Sequence, residues 1–177
     1  MKPSLSWLWL FVFCVSACTP EEGGEPKKHP TMEPKPVTPP VQDGKVVLSD
    51  EEWKARLDPE AYRVLRLAGT EPAFGEAYKR FKAQGEGSYH CAGCDALLFT
   101  SKQKFDSHCG WPSFYDPADA QNVITRTDVT AGMVRTEVLC ARCGGHLGHV
   151  FEGEGFDTPT DKRYCINGVT LKFVEGK

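Results

Sequence analysis

Eight cysteines and five histidines stand in this chain of 177 residues, and their spacing indicates what most of them could do. Cys91-Ala-Gly-Cys94 and Cys140-Ala-Arg-Cys143 are Cys-x-x-Cys pairs with small residues in or just after the loop, the turn chemistry of a zinc knuckle. Two such pairs supply four thiolates, a closed tetrahedral set suited to structural zinc with no position left open for catalysis. The gap between them exceeds that of a compact zinc ribbon, about 15–20 residues. The expectation is therefore two knuckles on separate hairpins, clamped by one Zn2+. Disulfides within or between the pairs are a competing reading. A thioredoxin-like redox motif is another, but it needs a βαβ setting, and Gly144-Gly145 starts a helix poorly. The second pair runs on into His146 and His149, on a segment ending in Val150-Phe151. With zinc held by thiolates, these histidines are free to work elsewhere.

Two further cysteines, Cys109 and Cys165, stand alone. In an exported protein a leftover pair is most simply a structural disulfide, but their surroundings suggest more reactive roles. In Arg163-Tyr-Cys165-Ile-Asn167 an extended chain puts Arg163 and Asn167 on the same face as Cys165. A cation there lowers the thiol pKa and supplies the reactive thiolate; an inert core cysteine is the alternative. Cys109 lies in Phe105-Asp-Ser-His-Cys-Gly-Trp-Pro-Ser-Phe114, which has no clean period and reads as an ordered loop. Trp111, between Gly110 and Pro112, suits a binding wall, although a Trp-Pro-Ser-Phe run can equally be plain core.

The elements that must position these residues come after a distinct leader. Residues 7–15 are continuously apolar, follow Lys2 and precede small residues, a secretory pattern too short to span a bilayer. Val15-Ser16-Ala17-Cys18 is similar to a bacterial lipobox, which implies a signal peptide over 1–17 and a lipidated Cys18 attached to the membrane. An ordinary cleaved signal or an uncleaved anchor is the alternative. Thr19 in place of Asp removes the usual inner-membrane retention signal, so the expected location is the bacterial cell envelope, on the outer membrane facing the periplasm. Residues 18–45 form a Pro-rich, charged linker that cannot order itself; extended, its residues 19–44 reach at most about 80 Å. Residues 46–177 then make one domain of ordinary size. The formal charge is −3, and no basic patch or aromatic-basic stripe is present, so nucleic acid is not an expected partner. A monomer is the default.

Within the domain, Ser49 and Glu52 form a capping box for a short first helix. Asp58-Pro59 starts a second, with Tyr62, Val64 and Leu65 inward and a stop near Gly69. A third helix is expected over 75–83. These helices read as a brace with no catalytic role. Beyond Gly87 come short β segments at 88–91, 96–100, 123–128, 133–140, 146–151 and 168–174. In the fourth, Val134, Thr136 and Val138 alternate with Arg135 and Glu137, the period of a half-buried strand. The fold class is mainly β: two packed antiparallel sheets, short N-terminal helices and a structural zinc site.

Five motifs in this order resemble the B-type peptide-methionine (R)-S-oxide reductases: Cys91–Cys94, Lys104–Phe114, Cys140–Cys143, His146–Phe151 and Arg163–Asn167. The match covers essentially all of 46–174. The resemblance implies that Cys165 is the nucleophile and Cys109 the resolving cysteine. It makes Trp111 the wall against the substrate methyl group, with Phe114 beside it. His146, His149, Arg163 and Asn167 become active-site polar residues, and Cys91, Cys94, Cys140 and Cys143 the zinc ligands. The implied reaction reduces the R epimer of protein-bound methionine sulfoxide. Cys165 attacks the substrate sulfur, an acid protonates the oxygen, and a sulfenic acid results. Cys109 condenses with it to a disulfide, which a thioredoxin-like partner reduces. Histidine is the acid suited to neutral pH. An odd separation puts His146 and His149 on opposite faces of a regular strand, so Gly148 is expected to mark a bulge, with His149 as acid and His146 positioning it. Two features depart from the family pattern. His108 stands where glycine is frequent, and its imidazolium would lower the Cys109 pKa. The stretch 152–162 is longer and more acidic, and no acidic partner is assigned within it.

Overall fold

The computed structural model describes residues 41–177; the signal-like segment, Cys18 and most of the Pro-rich stretch lie outside them. A two-residue hairpin, β1 (Val41–Gln42) and β2 (Lys45–Val46), precedes the helices. Its first five residues fall inside the segment expected to be linker, and Val46 is the first residue of the expected domain. Asp43 and Gly44 both turn at positive φ, and Val46 is buried with its N–H donating to the Arg142 carbonyl at 2.8 Å. One buried valine and one bond to the second knuckle suffice to bring the chain onto the domain here.

Helices α1 (Asp50–Arg56), α2 (Pro59–Leu67) and α3 (Glu76–Ala83) follow. Ser49 and Glu52 close both bonds of the capping box. Asp58 caps α2 through the N–H groups of Glu60 and Ala61, with Pro59 in the first turn. Ala61, Val64 and Leu65 are the buried residues of α2, whereas Tyr62 stays half-exposed and donates its hydroxyl to Asp50.

The β strands form two larger antiparallel sheets. One has three strands in the order β11-β3-β4, from β3 (Gly87–Cys91), β4 (Leu97–Thr100) and β11 (Leu171–Glu175). The other has six in the order β5-β6-β10-β9-β8-β7. Its strands are β5 (Lys104–Phe105), β6 (Ser113–Phe114), β7 (Val123–Asp128), β8 (Arg135–Cys140), β9 (His146–Glu152) and β10 (Lys162–Ile166). An aromatic core joins the sheets: Phe99 of β4 stacks on Phe114 of β6 at 4.3 Å between centroids, and Phe81 and Tyr89 pack edge-on against Phe114. Phe114 is thus fully buried and is a core residue, not part of a substrate wall. The run 105–114 contributes two short strands where a loop is expected, because its ends pair with each other and with β10.

The expected alternation in β8 holds only in part. Val134, just before the strand, is 80% exposed and Thr136 is exposed, while Val138 is fully buried and Glu137 is only 4% exposed. Glu137 turns inward because Arg126 and His146 pair with it.

Candidate active site

Strands β8, β9 and β10 lie side by side and present one polar surface. In the β9–β10 register His149 stands opposite Cys165, and in β8–β9 it stands opposite Glu137. The expected irregularity is present: Leu139 faces His146 and Val138 faces Gly148, so β9 carries one extra residue between them. This bulge brings the two imidazoles together, their ring centroids 5.5 Å apart. Gly148 is required for a separate reason, since a Cβ there would sit 2.0 Å from the Cys165 carbonyl oxygen. Any side chain would push the Cys165 strand away.

Each histidine meets a carboxylate. His146 Nδ1 lies 2.6 Å from Glu137 Oε1, and His149 Nε2 lies 2.8 Å from Asp128 Oδ2. Burial lowers the His146 pKa, with the Glu137 charge opposing, so this ring is neutral at neutral pH. Glu137 also accepts from Arg126. Its pKa is lowered although burial, the largest influence, acts the other way, because Arg126 and His146 together outweigh it. Asp128 accepts the Thr130 N–H and hydroxyl at 2.9 and 2.6 Å and pairs with Arg135 at 2.7 Å. These bonds, led by those from Thr130, hold its carboxyl well below the usual carboxylate range.

Cys165 and Cys109 are free thiols whose sulfurs lie 3.8 Å apart. Such a pair shares one proton readily, and of the two thiols Cys109 is the one whose pKa is pushed down, to about 4. The Cys165 thiol is the main cause; burial opposes it, and the hydroxyls of Ser107 and Ser113 reinforce it. Cys165 is raised in turn by the Cys109 sulfur and by burial, with Arg163 pulling the other way. The expected influence of Arg163 therefore exists but is outweighed. His108 does not act on Cys109 as expected: its side chain is 85% exposed and faces Asp106 at 3.5 Å.

Arg163 is buried, donates to Glu154 through Nε and Nη2 at 2.8 Å each, and lies 4.6 Å from the Phe151 ring centroid. Glu154 is thus the acidic partner that the sequence left unassigned in 152–162. Asn167 donates Nδ2–H to the Leu147 carbonyl and accepts the Glu71 N–H, both at 2.9 Å. Glu71 is buried, and its carboxylate accepts the N–H groups of Gly168 and Val169 at 2.6 and 3.0 Å. Its carbonyl takes the Trp111 indole N–H at 3.0 Å. The loop after α2 is accordingly part of the site, not a bystander. Gly110 fits this loop closely, with φ +90° and Phe74 N 2.9 Å from where a Cβ would stand.

Trp111, His149, Cys165 and Asn167 line a cavity of about 130 Å³. Thr70, Arg135, Gly148 and Phe151 complete it; of these, sequence reasoning assigned a role only to Gly148, as the bulge. The inward charges of β8 were the available signal for Arg135, Glu137 and, across the register, Asp128. Nothing in the sequence marked Thr70 or Glu71.

At the other end of β8, the Sγ atoms of Cys91, Cys94, Cys140 and Cys143 all lie within 4.8 Å of one another. Four thiolates about 2.3 Å from a tetrahedral zinc ion have edges of about 3.8 Å; Cys91–Cys143 and Cys94–Cys140 stand at 3.7 and 3.5 Å. The donor set fits zinc in size and chemistry. Arg56, Arg66 and Arg142 donate to the carbonyls of Gly93, Cys143 and Cys94, placing positive charge around the cluster.

A cavity floored by a thiol, with a second thiol in contact and carboxylate-bound imidazoles beside it, fits an oxidoreductase acting on sulfur. The SelR domain family matches residues 57–175. Peptide methionine sulfoxide reductase B5 of Oryza sativa subsp. japonica is 56% identical over 127 residues, 71% of this chain and 89% of that protein. The MsrB proteins of Thiobacillus denitrificans and Pseudomonas syringae pv. syringae are 56% and 55% identical, over 71% and 70% of this chain and 92% of each of theirs. The chain belongs to the B-type peptide methionine sulfoxide reductase family.

Proposed function

We propose that this protein reduces the R epimer of methionine sulfoxide in oxidised proteins, by way of a Cys165 sulfenic acid and a Cys109–Cys165 disulfide. The observation that carries the reading is Cys165 on the cavity floor opposite His149, with the Cys109 sulfur 3.8 Å away. Trp111 and Phe151 offer aromatic surface to the substrate methyl group and chain. Arg135 lines the same cavity and brings a positive charge to it.

His149 protonates the sulfoxide oxygen while Cys165 attacks the sulfur, and methionine leaves with its lone pair restored. The Cys165 proton replaces the one His149 gave, so thiol plus sulfoxide becomes sulfenic acid plus thioether without an added reductant. Asp128 stabilises the imidazolium, and His146, held by Glu137, fixes the ring beside it. Cys109 then displaces hydroxide from the sulfenic sulfur. An external dithiol of the thioredoxin type returns the disulfide to two thiols. Zinc held by the four knuckle cysteines would be structural, fixing the ends of β3, β8 and β9.

The sequence features of 1–18 support a lipid on Cys18 and a place in the bacterial cell envelope, where the protein would repair exported proteins after oxidative stress. Loss of radiolabelled palmitate incorporation in Cys18→Ala tests the anchor. For the reaction, purified protein is given dithiothreitol and each separated epimer of a methionine sulfoxide peptide. Consumption of the R epimer alone, abolished in Cys165→Ser, is the expected result; equal use of both epimers, or of neither, refutes the proposal.

A further inference from the structure

Cys109 is accompanied by two serines that the reaction as described leaves idle. Ser107 Oγ lies 3.0 Å from Cys109 Sγ and 2.7 Å from Ser113 Oγ. Ser113 Oγ is itself 3.6 Å from that sulfur and 3.2 Å from the Trp111 carbonyl oxygen. Ser113 is buried in β6, held in register between Phe105 and Cys165, so this hydroxyl has little freedom. Each serine has one proton to give. When Cys109 is a thiol, its S–H can point to the Trp111 carbonyl at 3.7 Å. When it is a thiolate, Ser107 donates to it and Ser113 can donate to Ser107, a two-link chain that strengthens the terminal bond.

We propose that Ser107 and Ser113 form a positioning dyad that keeps Cys109 ionised for the resolving step. The inference rests on the sulfenic-acid route above. Its force comes from what that route removes. At rest, the Cys165 thiol is the main group holding the charge on Cys109. Once Cys165 carries oxygen, that S–H donor is gone, while the Ser107 hydroxyl, with Ser113 behind it, still points at Cys109 from 3.0 Å. Arg163 on β10 and Tyr78 on α3 are further ionisable groups whose fields reach this sulfur. Asp106 and His108 on its own loop pair with each other, and Asp106 also takes Lys82.

The step is balanced. The Cys109 thiolate attacks the sulfenic sulfur of Cys165, the S–S bond forms as the S–O bond breaks, and hydroxide leaves to become water with a proton from solvent. The Cys109 sulfur is oxidised and the Cys165 sulfur reduced.

The test mixes fully reduced protein with the R sulfoxide peptide in the absence of reductant. Three products are followed across pH: methionine peptide, sulfenate trapped at Cys165 by dimedone, and disulfide. In Ser107→Ala the acid limb of disulfide formation is expected to move up by at least about one pH unit, slowing resolution about tenfold on that limb. Trapped sulfenate should rise there, and methionine formation should be affected less. Ser107→Thr keeps the hydroxyl and should restore the profile. Ser113→Ala should act in the same direction, but Ser113 is buried, so the half-buried Ser107 decides. A normal methionine burst with the disulfide profile unchanged in Ser107→Ala overturns the dyad alone. No methionine from the unaltered protein removes the sulfenic route and, with it, the step the dyad serves.

Discussion

Replacing Glu71 with alanine tests whether the loop after α2 belongs to the site. The Glu71 carboxylate, 4% exposed, accepts the N–H groups of Gly168 and Val169 at 2.6 and 3.0 Å. Each donor left buried without a partner costs about 1–3 kcal/mol. Two effects favour the low end: both donors are only part-buried, and removing a carboxylate whose pKa is raised by burial relieves its desolvation. The expected loss is then about 2 kcal/mol in all. At roughly 3–5 °C per kcal/mol for a domain of this size, the melting temperature should fall by about 6–10 °C. Glu71→Gln keeps one acceptor oxygen for one of the two N–H groups and should fall in between. Catalysis should suffer as well, because the same loop takes the Trp111 indole N–H and gives its own N–H to Asn167. A loosened anchor displaces both from the cavity, and kcat/KM for a sulfoxide peptide should drop roughly tenfold. Thermal denaturation followed by circular dichroism, with steady-state kinetics well below the new transition, gives both numbers. A melting temperature within about 2 °C of the parent with unchanged kinetics would show that Glu71 is a spectator, and the reasoning fails.

The remaining predictions concern charge, core and metal. At pH 6, iodoacetamide should alkylate Cys109 before Cys165, since the Cys109 pKa is depressed to about 4 and its thiolate persists as pH falls toward that value; faster labelling of Cys165 contradicts the assignment. His146 is depressed by burial, so folding excludes its proton. Its contribution to stability is present above the unfolded pKa of about 6.5 and is lost as pH falls through and below that value toward the folded pKa. His146→Gln should flatten the melting-temperature slope between about pH 6.5 and 5; an unchanged slope counts against it. Phe114→Ala should cost about 3–5 kcal/mol while leaving KM of the remaining folded protein near the parent value, as a core residue requires. A strong chelator with dithiothreitol should release about one zinc per chain and lower the melting temperature by more than about 10 °C; no metal found in the purified protein would refute the zinc assignment.

The sequence made some parts of this structure legible and hid others for definite reasons. Ser49, Glu52, Asp58 and Pro59 carry their information within one helical turn, and both caps form as read. The paired Cys-x-x-Cys motifs meet although residues 95–139 separate them, because thiolate spacing is a strong constraint at each end. Gly148, with the odd spacing of His146 and His149, indicated a bulge, and β9 carries its extra residue beside that glycine. Residues 134–137 misled: Val138 is buried as the alternation suggests, yet Val134 is exposed and Glu137 buried, because Arg126 and His146 supply polar partners for the glutamate. Phe114 and Trp111 are three residues apart in one motif, but only Trp111 lines the cavity, while Phe114 finds Phe99 across the sheets. Glu71 had no local signature. Its partners lie nearly a hundred positions away, and a lone glutamate after a helix reads as surface.

Strand β8 has Cys140 at one end and Arg135 at the other. At about 3.4 Å per residue it is a rod of about 17 Å between the thiolate cluster and the cavity. Its neighbour β9 starts three residues after Cys143 with His146. A metal ion clamped at one end would therefore act as the fixed jaw of a vice, setting how far the arginine, the glutamate and both imidazoles project at the other. Slippage of either strand by a single residue would turn those side chains to the opposite face. On this view the supply of metal would govern the capacity for reduction without the ion ever meeting a sulfoxide.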